Sequence, residues 1–535
     1  MTASPTESPD TPAVQKLPTG ITSFDVIAKG GLPRHRTTLI SGTAGSGKTV
    51  FAMQFLAAGV TGADEPGVFV TFEESADDIR KNMLSFGWDL GRWERDGKLA
   101  FVDASPDPSI ETIESGGFDL GALLARVEHA VKRVRAQRVA VDSLGAMFSQ
   151  FSDQSIVRRE LFRIASALKG MQVTAVLTAE RTEEYGPIAR HGVEEFIADN
   201  VMVLRNGLEG EVRRRTIEIL KFRGTDHQKG EYPFVIREQA GVVVIPLSAI
   251  KLRQHSSNVR ISSGNSTLDE MCGGGFFRDS IILVSGATGT GKTLTVTQFL
   301  EGGAKKGERG LLLGFEESRE QLFRNAAGWG ADFEDMERRG TLRVVCDYPE
   351  VVGLEDWLIT IQREVAEFKP ARVAIDSLSA LERVGSIKAF REFVIGVTSF
   401  IKQQEITGLF TATTSTLMGG SSITEAHIST LTDSIILLRY VEMFGEMKRG
   451  LTVLKMRGSV HDKSIREFTI DQKGMHVGRR FRNVTGVLGG TPMHVSPADL
   501  ERAWSAFDSE VASRATPAAK GSSERRGDGD RRKKS

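Results

Sequence analysis

From residue 37 onward, short aliphatic runs alternate with longer amphipathic ones. TTLIS (37–41), GVFVTF (67–72), RVAVD (138–142) and VTAVLTA (173–179) are β-rich and almost wholly apolar. They read as buried strands. GKTVFAMQFLAAGV (47–60) and SIVRRELFRIASALKG (155–170) have helix length, with apolar residues three and four apart. The alternation predicts an α/β fold, a mostly parallel sheet flanked by helices.

The pattern then runs a second time. GGLPRHRTTLISGTAGSGKTVFAMQFL (30–56) is matched by GGFFRDSIILVSGATGTGKTLTVTQFL (274–300), and VFVTFEESADDIRKN by LLLGFEESREQLFRN. RVAVDSLGAM is matched by RVAIDSLSAL, and LKFRGTDHQKGEYPF by LKMRGSVHDKSIREF. Lys48 and Lys292 lie 244 residues apart, whereas Asp142/Asp376 and Arg223/Arg457 both lie 234 apart. The equal later offsets predict a gapless alignment across that span. A period this long marks a duplicated domain rather than a solenoid unit. The expected organisation is a lead (1–16), a first domain (17–246), a linker (247–259), a second domain (260–495) and a tail (496–535).

Each repeat carries a phosphate-loop motif between a strand and a helix, the context that motif requires. The first is Gly42, Thr43, Ala44, Gly45, Ser46, Gly47, Lys48, Thr49; the second is Gly286, Ala287, Thr288, Gly289, Thr290, Gly291, Lys292, Thr293. Glycines let backbone N–H groups approach phosphate oxygens, and the helix N-terminus adds positive potential. Lys48 and Lys292 would reach the outer phosphates, and Thr49 and Thr293 would ligate Mg²⁺. Asp142 and Asp376 end aliphatic strands, where a carboxylate suits Mg²⁺. FEES places Glu73–Glu74 and Glu316–Glu317 at strand ends. Such carboxylates can polarise a water or hydroxyl, and adjacent residues point opposite ways, so each needs its own partner. KFRG and KMRG put Lys221 with Arg223 and Lys455 with Arg457, two apart on one side of a strand. Basic residues so placed can serve a neighbour's ATP in trans.

Composition narrows the classes. The 535 residues carry zero formal net charge, which gives little support to a nucleic-acid-dependent ATPase of the same superfamily. No apolar run approaches membrane-helix length. Cys272 and Cys346 are the only cysteines, which excludes a disulfide framework and fits a cytoplasmic home.

Taken in order, DEPGVFVTFEES, DASPDP, EEYGPIARHGVEEF, LDEMCGGGFF, GATGTGKTL, FEESREQLFRNA, ITEAHISTLTDSIILL and KMRGSVHDK resemble the KaiC family from about residue 17 to 492. The resemblance implies two tandem RecA-like P-loop NTPase domains and a double-ring homohexamer with ATP at the subunit interfaces. It implies slow ATP hydrolysis in the first domain, with autophosphorylation and its reversal in the second. It implies a circadian or timing hub, with a KaiB-like partner near Gly116–Leu120 and an output kinase or regulator downstream. Glu73, Glu74, Glu316 and Glu317 match the catalytic carboxylates; Lys221, Arg223, Lys455 and Arg457 match the interface cations. Ser429 and Thr430 match the phosphosites, and Thr424 a third threonine.

The repeat supports this separately. At the 234 offset Ser429 pairs with Glu195, Thr430 with Phe196, Thr424 with Arg190 and Thr432 with Ala198, so the hydroxyls belong to the second copy alone. Two departures stand out. Ala426 replaces a family serine. After GGTPMHV the chain does not resemble the segment that KaiA binds, so dependence on KaiA is not implied. There SPADLERAWSAFDSEV predicts a helix with a Leu500–Trp504–Phe507–Val511 stripe, followed by a basic tail.

Overall fold

The computed structural model describes residues 14–104, 120–148, 153–189, 194–245, 256–414, 428–443, 445–482, 484–485 and 493–494. In the first repeat, β1 (Thr37–Gly42), β2 (Gly67–Thr71), β3 (Leu99–Asp103), β4 (Arg138–Asp142), β5 (Thr174–Glu180), β6 (Asn200–Glu209), β7 (Val212–Phe222), β8 (Glu231–Arg237) and β9 (Gly241–Val244) form one nine-stranded sheet. Its order is β9-β8-β7-β6-β1-β5-β4-β2-β3. The strands from β6 to β3 in that order are parallel, and the pairs β6–β7, β7–β8 and β8–β9 are antiparallel.

The middles of the parallel strands are largely apolar because helices cover both faces. Successive side chains point to opposite sides. Leu39, Val68, Val70, Val139 and Val141 enter one buried cluster, while Ile40, Phe69 and Ala140 enter the other. The expected helices are present as α1 (Lys48–Ala58) and α2 (Gln154–Gly170).

The second repeat follows the same plan. β10 (Ile281–Gly286), β11 (Gly310–Gly314), β12 (Leu342–Cys346), β13 (Arg372–Asp376), β14 (Thr407–Thr413), β15 (Ser434–Met443), β16 (Glu446–Met456), β17 (Arg466–Asp471) and β18 (Gly474–Arg480) are arranged β12-β11-β13-β14-β10-β15-β16-β17-β18. Helices α3 (Lys292–Ala304), α4 (Leu354–Phe368) and α5 (Ile387–Gln403) flank it. Among the described residues no helix is long and apolar enough to cross a membrane.

The gapless alignment does not hold. β5 and β14 lie 233 residues apart, because Gly42 pairs with Glu180 and Gly286 with Thr413. The offset returns to 234 at β6 and β15. One residue is gained and lost in connecting segments, where insertions do not disturb a strand ladder.

One buried arginine braces the rear of each phosphate-loop helix. Arg138 opens β4 and donates to the Phe55 carbonyl of α1 at 2.7 Å; Arg372 opens β13 and donates to the Phe299 carbonyl of α3 at 2.7 Å. Glu65 and Glu308 balance the two charges. Between repeats, Arg214 on β7 donates to Glu355 on α4 at 2.8 Å and to Glu392 on α5 at 3.0 Å. Arg237 on β8 pairs with Asp356 at 2.9 Å, and Ile245 packs into the second repeat's core.

Candidate functional site

Each phosphate loop runs from the C-terminal tip of a central strand into a helix. Gly45 and Gly47 have φ of 71° and 93°, and Gly289 and Gly291 have 78° and 107°. That left-handed region costs a non-glycine residue a Cβ clash. A Cβ on Gly47 would also stand 2.7 Å from Ile236 Cδ1. The loop lysines fold over the loop's own carbonyls: Lys48 Nζ donates to Gly42 O and Thr43 O, both at 3.0 Å. Lys292 Nζ does the same to Gly286 O at 3.0 Å and Ala287 O at 3.1 Å. Burial pushes both ammonium groups down, opposed chiefly by Asp142 in one site and Asp376 in the other.

Thr49 Oγ1 donates to Asp142 Oδ2 at 2.6 Å, and Thr293 makes the matching side-chain bond to Asp376. Thr178 donates to the other oxygen of Asp142, and Thr411 donates to Asp376 Oδ1. Burial pushes both carboxyls up, and these hydroxyls oppose it.

The paired glutamates do part company. Glu73 accepts from Ser143 Oγ at 2.5 Å, while Glu74 accepts from Asn82 Nδ2 at 3.2 Å. Glu316 accepts from Ser377 Oγ at 2.8 Å and Glu317 from Asn325 Nδ2 at 2.7 Å. The Glu317 carboxyl is pushed up by burial and by Asp376, which prepares it to hold a proton. Ser143, Ser377, Thr178, Thr411, Asn82 and Asn325 were not singled out in the sequence. Their recurrence in both repeats is the signal that could have found them.

The basic pairs lie elsewhere. β7 and β16 end at Phe222 and Met456, so Arg223 and Arg457 open the turns that follow. Lys221 Nζ donates to Glu195 O at 3.1 Å and Ala198 O at 2.9 Å; Lys455 Nζ donates to Ser429 O at 2.6 Å and Thr432 O at 2.7 Å. The same clamp thus holds both repeats and places Ser429 where the first repeat has Glu195. Arg457 Nη2 donates to Thr430 O at 2.8 Å. Ser429 is half-buried, Thr430 exposed and Thr432 fully buried, so Thr432 belongs to the packing. Thr424, Arg190 and Ala426 lie outside the described residues, as do the GGFDL segment up to Asp119, residues 246–255 and the tail from 495.

This hydroxyl ledge and its own phosphate loop lie at opposite ends of the central strands. Asp433 Oδ2 accepts from Ile281 N at 2.8 Å, at the start of β10, whereas Lys292 bonds Gly286 at its end. Five strand steps at about 3.3 Å each separate them by roughly 17 Å.

A family model described as "ATPase: KaiC" matches residues 17–249 and 261–481. Circadian clock protein KaiC3 of Synechocystis sp. is 64% identical over 94% of this chain and 99% of its own. The circadian clock oscillator proteins KaiC of Thermosynechococcus vestitus and Synechococcus elongatus are 60% and 57% identical, each over 92% of this chain and 95% of theirs.

Proposed function

Because the chain belongs to the KaiC family of ATPases, we propose that it is a circadian or timing ATPase whose second repeat is a serine/threonine autokinase and autophosphatase. The first repeat, on this reading, hydrolyses ATP slowly. The carrying observation is the lysine clamp: identical in both repeats, it presents Ser429 and Thr430 only in the second.

In the second repeat the γ-phosphoryl group passes from ATP to the Ser429 or Thr430 oxygen. The new O–P bond forms as the bond to the β-phosphate oxygen breaks, and ADP leaves with that electron pair. Glu316 or Glu317 takes the hydroxyl proton. Lys292 steadies the outer phosphates. Thr49 with Asp142, and Thr293 with Asp376, fit Mg²⁺: a hydroxyl beside a carboxylate offers hard oxygen, and no cluster of three carboxylate, His or Cys ligands exists among the described residues. Thr49 with Asp142 and Thr293 with Asp376 would hold the ion, which would supply positive charge to offset that of the phosphates.

A gap of roughly 17 Å is too long for transfer within one copy. The ledge of one copy therefore faces the phosphate loop of the next, with Lys221, Arg223, Lys455 and Arg457 near that junction. A head-to-tail homohexamer satisfies this. A KaiB-like partner and an output kinase or regulator belong to the same reading; dependence on KaiA does not. The ATPase repeat spans 17–246 and the autokinase repeat 260–495.

The test is incubation of the full chain with Mg-ATP and mapping of phosphate by mass spectrometry. Phosphate should appear on Ser429 and Thr430. In mixtures of Lys292→Ala with Ser429→Ala/Thr430→Ala, it should appear on the Lys292→Ala copy. An unmodified chain that still hydrolyses ATP would sink the autokinase reading.

A further inference from the structure

The two repeats differ beside the first glycine of the phosphate loop. β5 and β14 each lie between the loop strand and the aspartate strand. In register with Gly42 stands Glu180; in register with Gly286 stands Thr413. Their surroundings are swapped to match. In the first repeat a Cβ on Gly145 would meet Glu180 Cγ and Oε2 at 3.4 Å, an ordinary contact, so the glycine lies directly against the carboxylate. In the second repeat that glycine becomes Ser379, whose Oγ accepts from Thr413 N at 2.9 Å. The Lys48 ammonium lies within electrostatic reach of Asp142, Glu180, Glu73 and Glu184, whereas Lys292 faces Asp376 and Glu316. Among the described residues no hydrogen-bond donor engages the Glu180 carboxylate.

We propose that Glu180, lying against Gly145, holds the attacking water in the first repeat and so makes that site a hydrolase rather than a transferase. The inference rests on the function proposed above. The water oxygen forms the new bond to the γ-phosphorus as the bond to the β-phosphate oxygen breaks, and ADP leaves with that electron pair. One water proton passes to Glu73; the other is held by Glu180. In the second repeat the Thr413–Ser379 pair fills this place, no carboxylate there retains a water, and a protein hydroxyl is the nucleophile.

The experiment uses the full chain with Glu316→Gln/Glu317→Gln, so that phosphate release reports the first site. Glu180→Thr, and Glu180→Thr with Gly145→Ser to restore the second repeat's packing, should each lower kcat by about tenfold or more, less than the roughly 10²–10⁴-fold of a group that itself takes the proton. KM for ATP should stay within about twofold, because the loop and its lysine are untouched. Glu180→Asp should recover part of the rate, which a purely structural role would not require. The reverse graft, Thr413→Glu with Ser379→Gly in the otherwise natural chain, should shift the second site from Ser429/Thr430 phosphate toward free phosphate. A kcat within twofold of the parent in both Glu180→Thr variants overturns the proposal. A parent that releases no phosphate, while the natural chain still phosphorylates Ser429, overturns the hydrolytic assignment of the first repeat itself.

Discussion

Lys455→Met would separate two jobs that one ammonium can do. In the structure Nζ is a strut: it bonds Ser429 O at 2.6 Å and Thr432 O at 2.7 Å and closes the turn that carries Ser429 and Thr430. Methionine keeps the stem's packing and removes the charge. A hydrogen bond to a charged group contributes about 1.5–3 kcal/mol net. Lys455 is half-buried, so water replaces part of each bond, and roughly 1.5–3 kcal/mol for the pair together is the better figure. At 1.4 kcal/mol per decade, the turn should open about 10- to 100-fold more often. Hydrogen exchange of peptides covering 428–433 should quicken by that factor, and phosphate on Ser429 and Thr430 should fall with it. Lys221→Met should quicken exchange over 195–198 in the same way. Unchanged exchange over 428–433 would refute the strut. Lost phosphorylation with unchanged exchange would assign the ammonium to the neighbouring copy's nucleotide instead.

Arg214→Ala strands Glu355 and Glu392, whose side chains are 15% and 25% exposed, across the boundary between repeats. The expected loss is about 2–4 kcal/mol, below the fully buried case because water reaches both carboxylates. Thermal unfolding that shifts by less than about 1 kcal/mol would contradict it, and Arg214→Lys should restore only part, since lysine cannot form the two-pronged contact. Burial pushes the thiol of Cys346 up to about 11 and that of Cys272 up to about 12. At pH 8 the folded thiolate fractions are then only about one in a thousand and one in ten thousand, far below an unfolded thiol near 8.5. These raised values mean that stability is fully present below about pH 8.5 and is lost as pH climbs toward 11 and 12. Thiol labelling should therefore be slow at pH 8 and accelerate on unfolding; rapid labelling of the folded chain at pH 8 would be the contrary result.

The duplication, the phosphate loops and the strand–helix alternation were legible because each is written locally. TTLIS and RVAVD became β1 and β4, and SIVRRELFRIASALKG became α2. The expected separation of adjacent glutamates also followed from strand geometry, and Ser143 and Asn82 supply the separate partners. What the sequence left out is non-local. That Thr178 completes Asp142 depends on β5 lying beside β4, and no spacing encodes that. The contrast between Glu180 and Thr413 was hidden by the uniform offset: shifting by 234 pairs Glu180 with Thr414, and only the ladder registers correct it by one. The lysine clamp was missed because a basic residue near a strand end looks free until the carbonyls around it are placed.

The roughly 17 Å between ledge and loop has an arithmetic consequence. If transfer runs from copy to copy, each chain brings half of one second-repeat site at one end of its central strands and half of another at the opposite end. An open string of copies then always ends in an acceptor with no donor and a donor with no acceptor. Closure removes both ends at once, so the last copy to join completes two sites where each earlier addition to an existing copy completed one.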